Sequence, residues 1–256
     1  MSSRCLSLFL LLFGAALSSG AKELRVCAEP DNLPFSQADG SGFENRIARL
    51  LAQEIGASLR FEWQPQRRAF VRKTLGEGLC DAWMGVPAGF ERVLATRPYY
   101  RSTYVFVFPK SNPLLDFDGE KLRALRIGVQ LPGDDFAATP PGHALALKGA
   151  VDKVVGYTVY GERPAVARIV DAVANGDLDA GVVWGPAAGF FAAKAALGVA
   201  PARAPAELEG LPFEFSIAIG VTRGQKALRD ELDGALDKRK AEIDSILRDY
   251  AVPRVP

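Results

Sequence analysis

The stretch Gly78-Leu79-Cys80-Asp81-Ala82-Trp83-Met84-Gly85-Val86-Pro87 decides how this chain is read, because it returns later as Gly176-Asp177-Leu178-Asp179-Ala180-Gly181-Val182-Val183-Trp184-Gly185-Pro186. Each copy closes an amphipathic run on Gly, passes an Asp-Ala pair, forms a short apolar strand and stops at Pro. Gly is the usual residue just past a helix, and Pro ends a strand because it lacks the N–H that a ladder needs. Two such helix-turn-strand units predict two α/β lobes of similar build. A ligand then belongs between them, beyond the carboxyl ends of the strands.

Outward from the first copy, Leu24 to Cys27 is a short buried strand, followed by the turn-rich Glu29-Pro30-Asp31-Asn32-Leu33-Pro34-Phe35. Ser41 with Glu44 three residues on has the form of a capping box. Phe43, Ile47, Leu50, Leu51 and Ile55 give that helix its apolar stripe, and Gly56 ends it. Leu59 to Trp63 is a second strand, a helix leads from Gln66-Arg67-Arg68 toward Gly76, and Ala82 to Val86 is the third strand. This alternation predicts a mainly parallel sheet with right-handed crossovers, flanked by helices.

Strand Tyr104 to Phe108 and the loop Pro109 to Pro113 lead to a fresh series: strand Arg126 to Val129, helix Ala165 to Ala174, strand Ala180 to Trp184 and helix Ala187 to Ala196. Ala200 to Pro205 reads as a linker and Phe213 to Val221 as a returning strand. Lys226 to Tyr250 reads as one long helix with Leu228, Leu232, Leu236, Ile243, Ile246 and Leu247 inward. The expected division is lobe one over 22–103 plus 215–256 and lobe two over 104–214, with hinges near 102–108 and 212–216.

Residues 1–21 carry Arg4, an apolar run from Leu6 to Leu17 and small residues at Ser19-Gly20-Ala21, the pattern of a secretory signal. The run is too short to span a bilayer, so no stable membrane insertion is expected. Beyond it, basic and acidic residues balance, and no basic patch argues for nucleic acid. Cys27 and Cys80 remain. Export permits a disulfide, but on neighbouring parallel strands their offset exceeds comfortable bridging distance, which argues against one.

The layout resembles the type II periplasmic solute-binding proteins, amino-acid binders in particular, over nearly the whole chain after the signal. Leu24 to Phe35 with Gly42-Phe43-Glu44 resembles their first strand, ligand loop and helix start; Glu91-Arg92 and Pro98-Tyr99-Tyr100 resemble the arginine-bearing helix and the approach to the hinge. A closer likeness lies in Trp63 to Arg68, Gly85 to Gly89, Thr96 to Phe106, Val129 to Asp135 and Val182 to Pro186, which are similar to the J-type methanol-oxidation proteins (MoxJ/XoxJ). That resemblance implies a monomeric periplasmic accessory of a methanol dehydrogenase that depends on pyrroloquinoline quinone (PQQ). Any link to PQQ, calcium or a lanthanide then runs through the partner enzyme, with no cofactor held stably by this chain.

Residue by residue, an amino-acid binder needs an Arg for the α-carboxylate, and Arg92 stands at that position. A hydroxyl and a free N–H should complete the cage, but the matching residue is Pro87. The carboxylate that takes the ammonium is matched by Trp184, and the aromatic under the ligand by Arg68. The amino-acid pocket is therefore read as dismantled. The cleft for a partner or ligand is expected from Glu29, Asn32, Phe35, Arg67, Arg68, Pro87, Ala88, Arg92, Tyr99, Tyr100, Arg101, Leu131 and Trp184. Tyr and Arg are frequent interface anchors. Bland readings stand beside this one: a core Trp184, solvated Arg67 and Arg68, an Arg92 paired with a neighbouring acid, and tyrosines on a strand face.

No catalytic motif is found. His143 is the single histidine, and no Ser or Cys nucleophile, P-loop or G-x-G-x-x-G accompanies it. Asp116-Phe117-Asp118-Gly119-Glu120 lacks the ligand spacing of a calcium loop and reads as helix capping. The competing reading is a transporter's receptor for a small solute other than a standard amino acid.

Overall fold

The computed structural model describes residues 22–66, 69–117, 120–131, 138–159 and 163–256. The signal segment, Arg67, Arg68 and part of the Asp116 to Glu120 run lie outside the described residues.

In chain order the first lobe opens with β1 (Glu23–Ala28), the small hairpin β2 (Asp31–Asn32) and β3 (Ser36–Gln37), α1 (Phe43–Glu54), β4 (Ser58–Trp63), α2 (Phe70–Lys73), β5 (Ala82–Pro87) and β6 (Leu94–Ala95). β7 (Tyr100–Phe108) leads into β8 (Ile127–Leu131), α3 (Pro140–Leu147), β9 (Val154–Thr158), α4 (Ala165–Ala174), β10 (Ala180–Trp184), α5 (Gly185–Lys194) and β11 (Gly198–Pro201). β12 (Glu214–Val221), α6 (Lys226–Lys238) and α7 (Lys240–Asp249) complete the chain.

The strands form one continuous sheet in the order β4-β1-β5-β12-β7-β10-β8-β9. β1 is parallel to both β4 and β5, as β8 is to β9 and β10. The change of direction comes at the middle, where β12 lies antiparallel between β5 and the first half of β7, with Ser216 opposite Arg101. The second half of β7 takes new partners, β10 and β11. Two antiparallel segments thus run side by side between the lobes, each with its own cores. Phe43, Ile47 and Leu51 of α1 pack with Leu232, Ile243 and Leu247 on one face of the first lobe. Ile169 and Val183 lie on one face of the second lobe, Ile127 and Val182 on the other.

The sequence repeat has a structural cause. Asp81 accepts from the Arg25 backbone N–H (2.9 Å) and guanidinium (2.6 Å), while Arg25 also donates to the Gly78 carbonyl. Asp179 does the same with Arg126, whose backbone N–H is 2.8 Å away and whose guanidinium donates to the Gly176 carbonyl. Each lobe therefore ties the turn before its strand to the start of the neighbouring parallel strand through an Arg-Asp clamp.

Several expectations are corrected. Cys27 and Cys80 are disulfide-bonded, with Cα atoms 5.5 Å apart. Cys80 is in the coil before β5, not on a strand, and the Asp81 N–H bond to the Arg25 carbonyl folds that coil across β1, which cancels the offset. The Ser41–Glu44 box does not form. Gly42 is the N-cap, Asn45 accepts from its N–H (3.2 Å) and from Gln37 N–H (2.9 Å), and Ser41 instead donates to Asp39.

The helix expected from Gln66 is the single turn of α2. The segment Glu91-Arg92 is a turn, not a helix. The linker at Ala200 begins as β11, which pairs with β7. The last helix breaks at Arg239, where Glu54 and Glu242 hold the guanidinium, and α6 and α7 each pack against α1.

Candidate partner and ligand cleft

Two adjoining cavities of about 310 and 550 Å³ lie between the lobes and share Asn32, Phe35, Gln66 and Trp184. The loop after β1 supplies Glu29, Asn32 and Phe35 to the cleft, the end of β5 supplies Pro87, and the hinge strands supply Tyr100, Tyr104, Phe215 and Ile217. The second lobe contributes Trp184 at the end of β10, Gln130 at the end of β8, and the start of α4 around Ala165. Parallel strands end together, so their following turns converge here.

Aromatic packing shapes the smaller cavity. Trp184, Tyr104 and Phe215 form an edge-to-face triangle with centroids 5.4, 5.7 and 6.5 Å apart and planes at 70°, 75° and 74°. Trp184 belongs to a second-lobe strand but packs against the first lobe's core. It is neither a plain core residue nor a free surface one. It spans the cleft.

The structure brings together Glu29, Asn32, Phe35, Pro87, Tyr100 and Trp184 of the expected residues. Glu29 also accepts from the Gln66 N–H (2.6 Å), closing the loop over the cleft. The others stand elsewhere. Arg92 is exposed and lines neither cleft cavity. It borders one groove with Arg72, Thr222 and Arg223 and another with Phe70, Trp83 and Gln66, and Arg223 donates to the neighbouring Glu91 carbonyl. Arg101 points to the back of the hinge, where it pairs with Glu214 (2.7 Å) and donates to the Pro256 carbonyl (2.7 Å). Tyr99 packs on Tyr100 behind the cavity, and Leu131 packs in the second-lobe core. The Ala88 N–H is bonded to the Ser216 carbonyl at 2.7 Å. Arg67 and Arg68 lie outside the described residues.

Sequence reasoning missed Glu44. It lines the smaller cavity, is only 7% exposed, and burial pushes its carboxyl up to about 8. Its signal in the sequence was masked by the plausible capping role. Gly85, at φ +75°, is what admits it: a Cβ there would lie 2.2 Å from the Glu44 Oε1. The neighbouring Tyr99 and Tyr100 hydroxyls are pushed well above the usual tyrosine range by burial first and by Glu44 second. Among the described residues, no group of three or more His, Cys, Asp or Glu gathers as a metal site. His143 is exposed on α3, away from this cleft.

Two α/β lobes, paired antiparallel crossings and a cleft at the strand ends define the type II periplasmic binding protein fold. Within that class, the model of the bacterial extracellular solute-binding proteins, family 3, matches residues 24–252, and the chain belongs to this family. It is 32% identical over 253 residues to Protein MoxJ of Paracoccus denitrificans, covering 91% of this chain and 89% of that one. Protein MoxJ of Methylorubrum extorquens is 31% identical over 256 residues, covering 94% and 84%. The crystal structure of the periplasmic binding protein XoxJ from Methylobacterium extorquens AM1 is 34% identical, with a TM-score of 0.76 over 91% of this chain and 99% of that chain. Among the described residues, no helix is long and apolar enough to cross a membrane.

Proposed function

We propose that this protein is a non-catalytic periplasmic accessory of a PQQ-dependent methanol dehydrogenase, required to bring that enzyme to activity, and that it binds the enzyme or a segment of it through the interlobe cleft. The observation that carries this reading is the similarity to two MoxJ proteins over more than nine-tenths of the chain. The cleft's chemistry supports it. Among the described residues an amino-acid carboxylate finds no cage: Pro87 has no N–H, the Ala88 N–H is engaged by Ser216, and Arg92 lines neither cleft cavity. The rim offers aromatic area with polar groups at the margin, the composition of protein-binding hot spots. The quinone and its calcium or lanthanide belong to the partner, and this chain holds neither stably.

A gene deletion tests the reading. It should leave the dehydrogenase present but poorly active, and complementation with Trp184→Ala should restore activity less well than the parent gene. Truncating a central anchor costs about 2 kcal/mol or more of binding, roughly thirtyfold in affinity. Full dehydrogenase activity in the deletion strain, with normal quinone and metal content, would refute it. The second reading, a receptor for a small solute, rests on the aromatic-lined smaller cavity between the lobes; it expects loss of uptake with the enzyme unaffected.

A further inference from the structure

We propose that the smaller interlobe cavity is a binding site for an organic ammonium cation, with Glu44 as the counter-charge and Phe35, Tyr100, Tyr104, Trp184 and Phe215 as aromatic walls.

Glu44 has no visible structural task. Capping of α1 is done by Asn45, and no salt bridge or side-chain hydrogen bond reaches the Glu44 carboxyl from the described residues. Its side chain is more than nine-tenths buried yet lines the cavity, pressed against the backbone of β5 at Gly85. A buried carboxylate without a fixed cation is costly. A ligand that brings the positive charge removes that cost.

The walls favour the same chemistry. Aromatic faces attract ammonium groups, most strongly when desolvated, and recognition of quaternary ammonium by aromatic cages rests on this. The mutual tilts of Trp184, Tyr104 and Phe215 are those of adjoining walls rather than a flat stack. The cavity, about 310 Å³, suits a small solute or the end of a long side chain. Among the described residues no cage for a carboxylate forms in this cavity, so the chemistry present is that for a cation. A free ammonium compound and the lysine end of a partner protein share this chemistry. The site stands on the cavity itself and does not depend on the dehydrogenase reading.

Calorimetry on the purified chain tests it with choline, its neutral isostere 3,3-dimethylbutan-1-ol, and a lysine blocked at both backbone ends. At least one cation should bind ten or more times as tightly as the alcohol. Glu44→Gln should remove that preference while keeping the parent's unfolding cooperativity. Tighter choline assigns a free solute, and tighter blocked lysine assigns a partner's side chain. Because Glu44 must ionise to bind, affinity for the native chain should rise about tenfold from pH 6 to pH 7 and level off above about pH 8. The titratable groups around it among the described residues, Tyr99, Tyr100 and the cavity wall Tyr104, all pushed up by burial, stay neutral throughout. No preference for either cation over the alcohol, or a Glu44→Gln protein that retains it, would overturn the proposal. If that variant does not fold, an affinity in the native chain that does not fall as the pH is lowered from about 8 to about 4, the range over which a carboxyl must take up its proton, overturns it equally.

Discussion

At the scale of single residues, Asp81 and Asp179 show how a repeat in sequence becomes a repeat of forces. Both carboxylates receive a backbone N–H and a guanidinium from an Arg at the start of the adjacent strand. Asp179 is held below the usual carboxylate range, first by the Arg126 N–H and then by its guanidinium. A depressed pKa means that the contribution is present above the unfolded value and lost as pH falls through the folded one. Asp81→Asn should cost about 1.5–3 kcal/mol in chemical denaturation at neutral pH, as loss of charged hydrogen bonds does. Asp179→Asn should cost less, because its carboxyl is more exposed and water screens the pair. The gap between Asp179→Asn and the parent should narrow in acid, below about pH 4. An undiminished gap at pH 3 would show that the clamp is not electrostatic.

At the scale of elements, the disulfide joins β1 to the coil that precedes β5 and closes 53 residues of sequence separation. Both cysteines are buried in the same core as Phe70, Val86 and Val93. In the chain-entropy account, a loop of that length restricts the unfolded state by about 4 kcal/mol. The Cys27→Ala, Cys80→Ala double variant should lose stability of that order in urea denaturation. Reductant should lower the parent's midpoint and leave the variant's unchanged. A parent indifferent to reductant would contradict the bridge.

At the scale of the whole molecule, the back of the hinge is fastened by the C-terminal tail. Ser102 Oγ donates to the Pro253 carbonyl, Val255 N–H donates to the Arg101 carbonyl, and Tyr250 stacks on Phe190 of α5. The tail follows α7 of the first lobe but lies on α5 of the second, so it bridges both. Gly189 permits this approach: a Cβ there would fall 1.9 Å from the Ala251 carbonyl oxygen. Gly189→Val should therefore displace the tail, at about 1–3 kcal/mol in stability. Hydrogen exchange at the Val255 amide should quicken, while the Asp81 amide in the first-lobe clamp stays protected. An unchanged Val255 amide would show that the tail does not depend on this contact.

The sequence by itself determined the two-lobed α/β plan, because the period of its apolar residues, its Gly and Pro stops and the Asp-Ala repeat are signals repeated along the chain, so that the loss of one local pattern leaves the plan unchanged. Helix Ala165–Ala174 and strand Ala180–Trp184 were legible to the residue. The site was legible in part. Pro87 and Trp184 end their strands, and strand ends converge on the cleft whatever the side chains. Only the tertiary structure decided where Arg92, Arg101 and Glu44 point. A local capping pattern assigned Glu44 to the helix cap with Ser41, whereas Asn45 took the cap and Gly85, distant in sequence, left room for the carboxyl beside the cavity. The bridging of Cys27 and Cys80 was likewise decided by how a coil folds back over a strand, a long-range geometry that spacing along the chain does not encode.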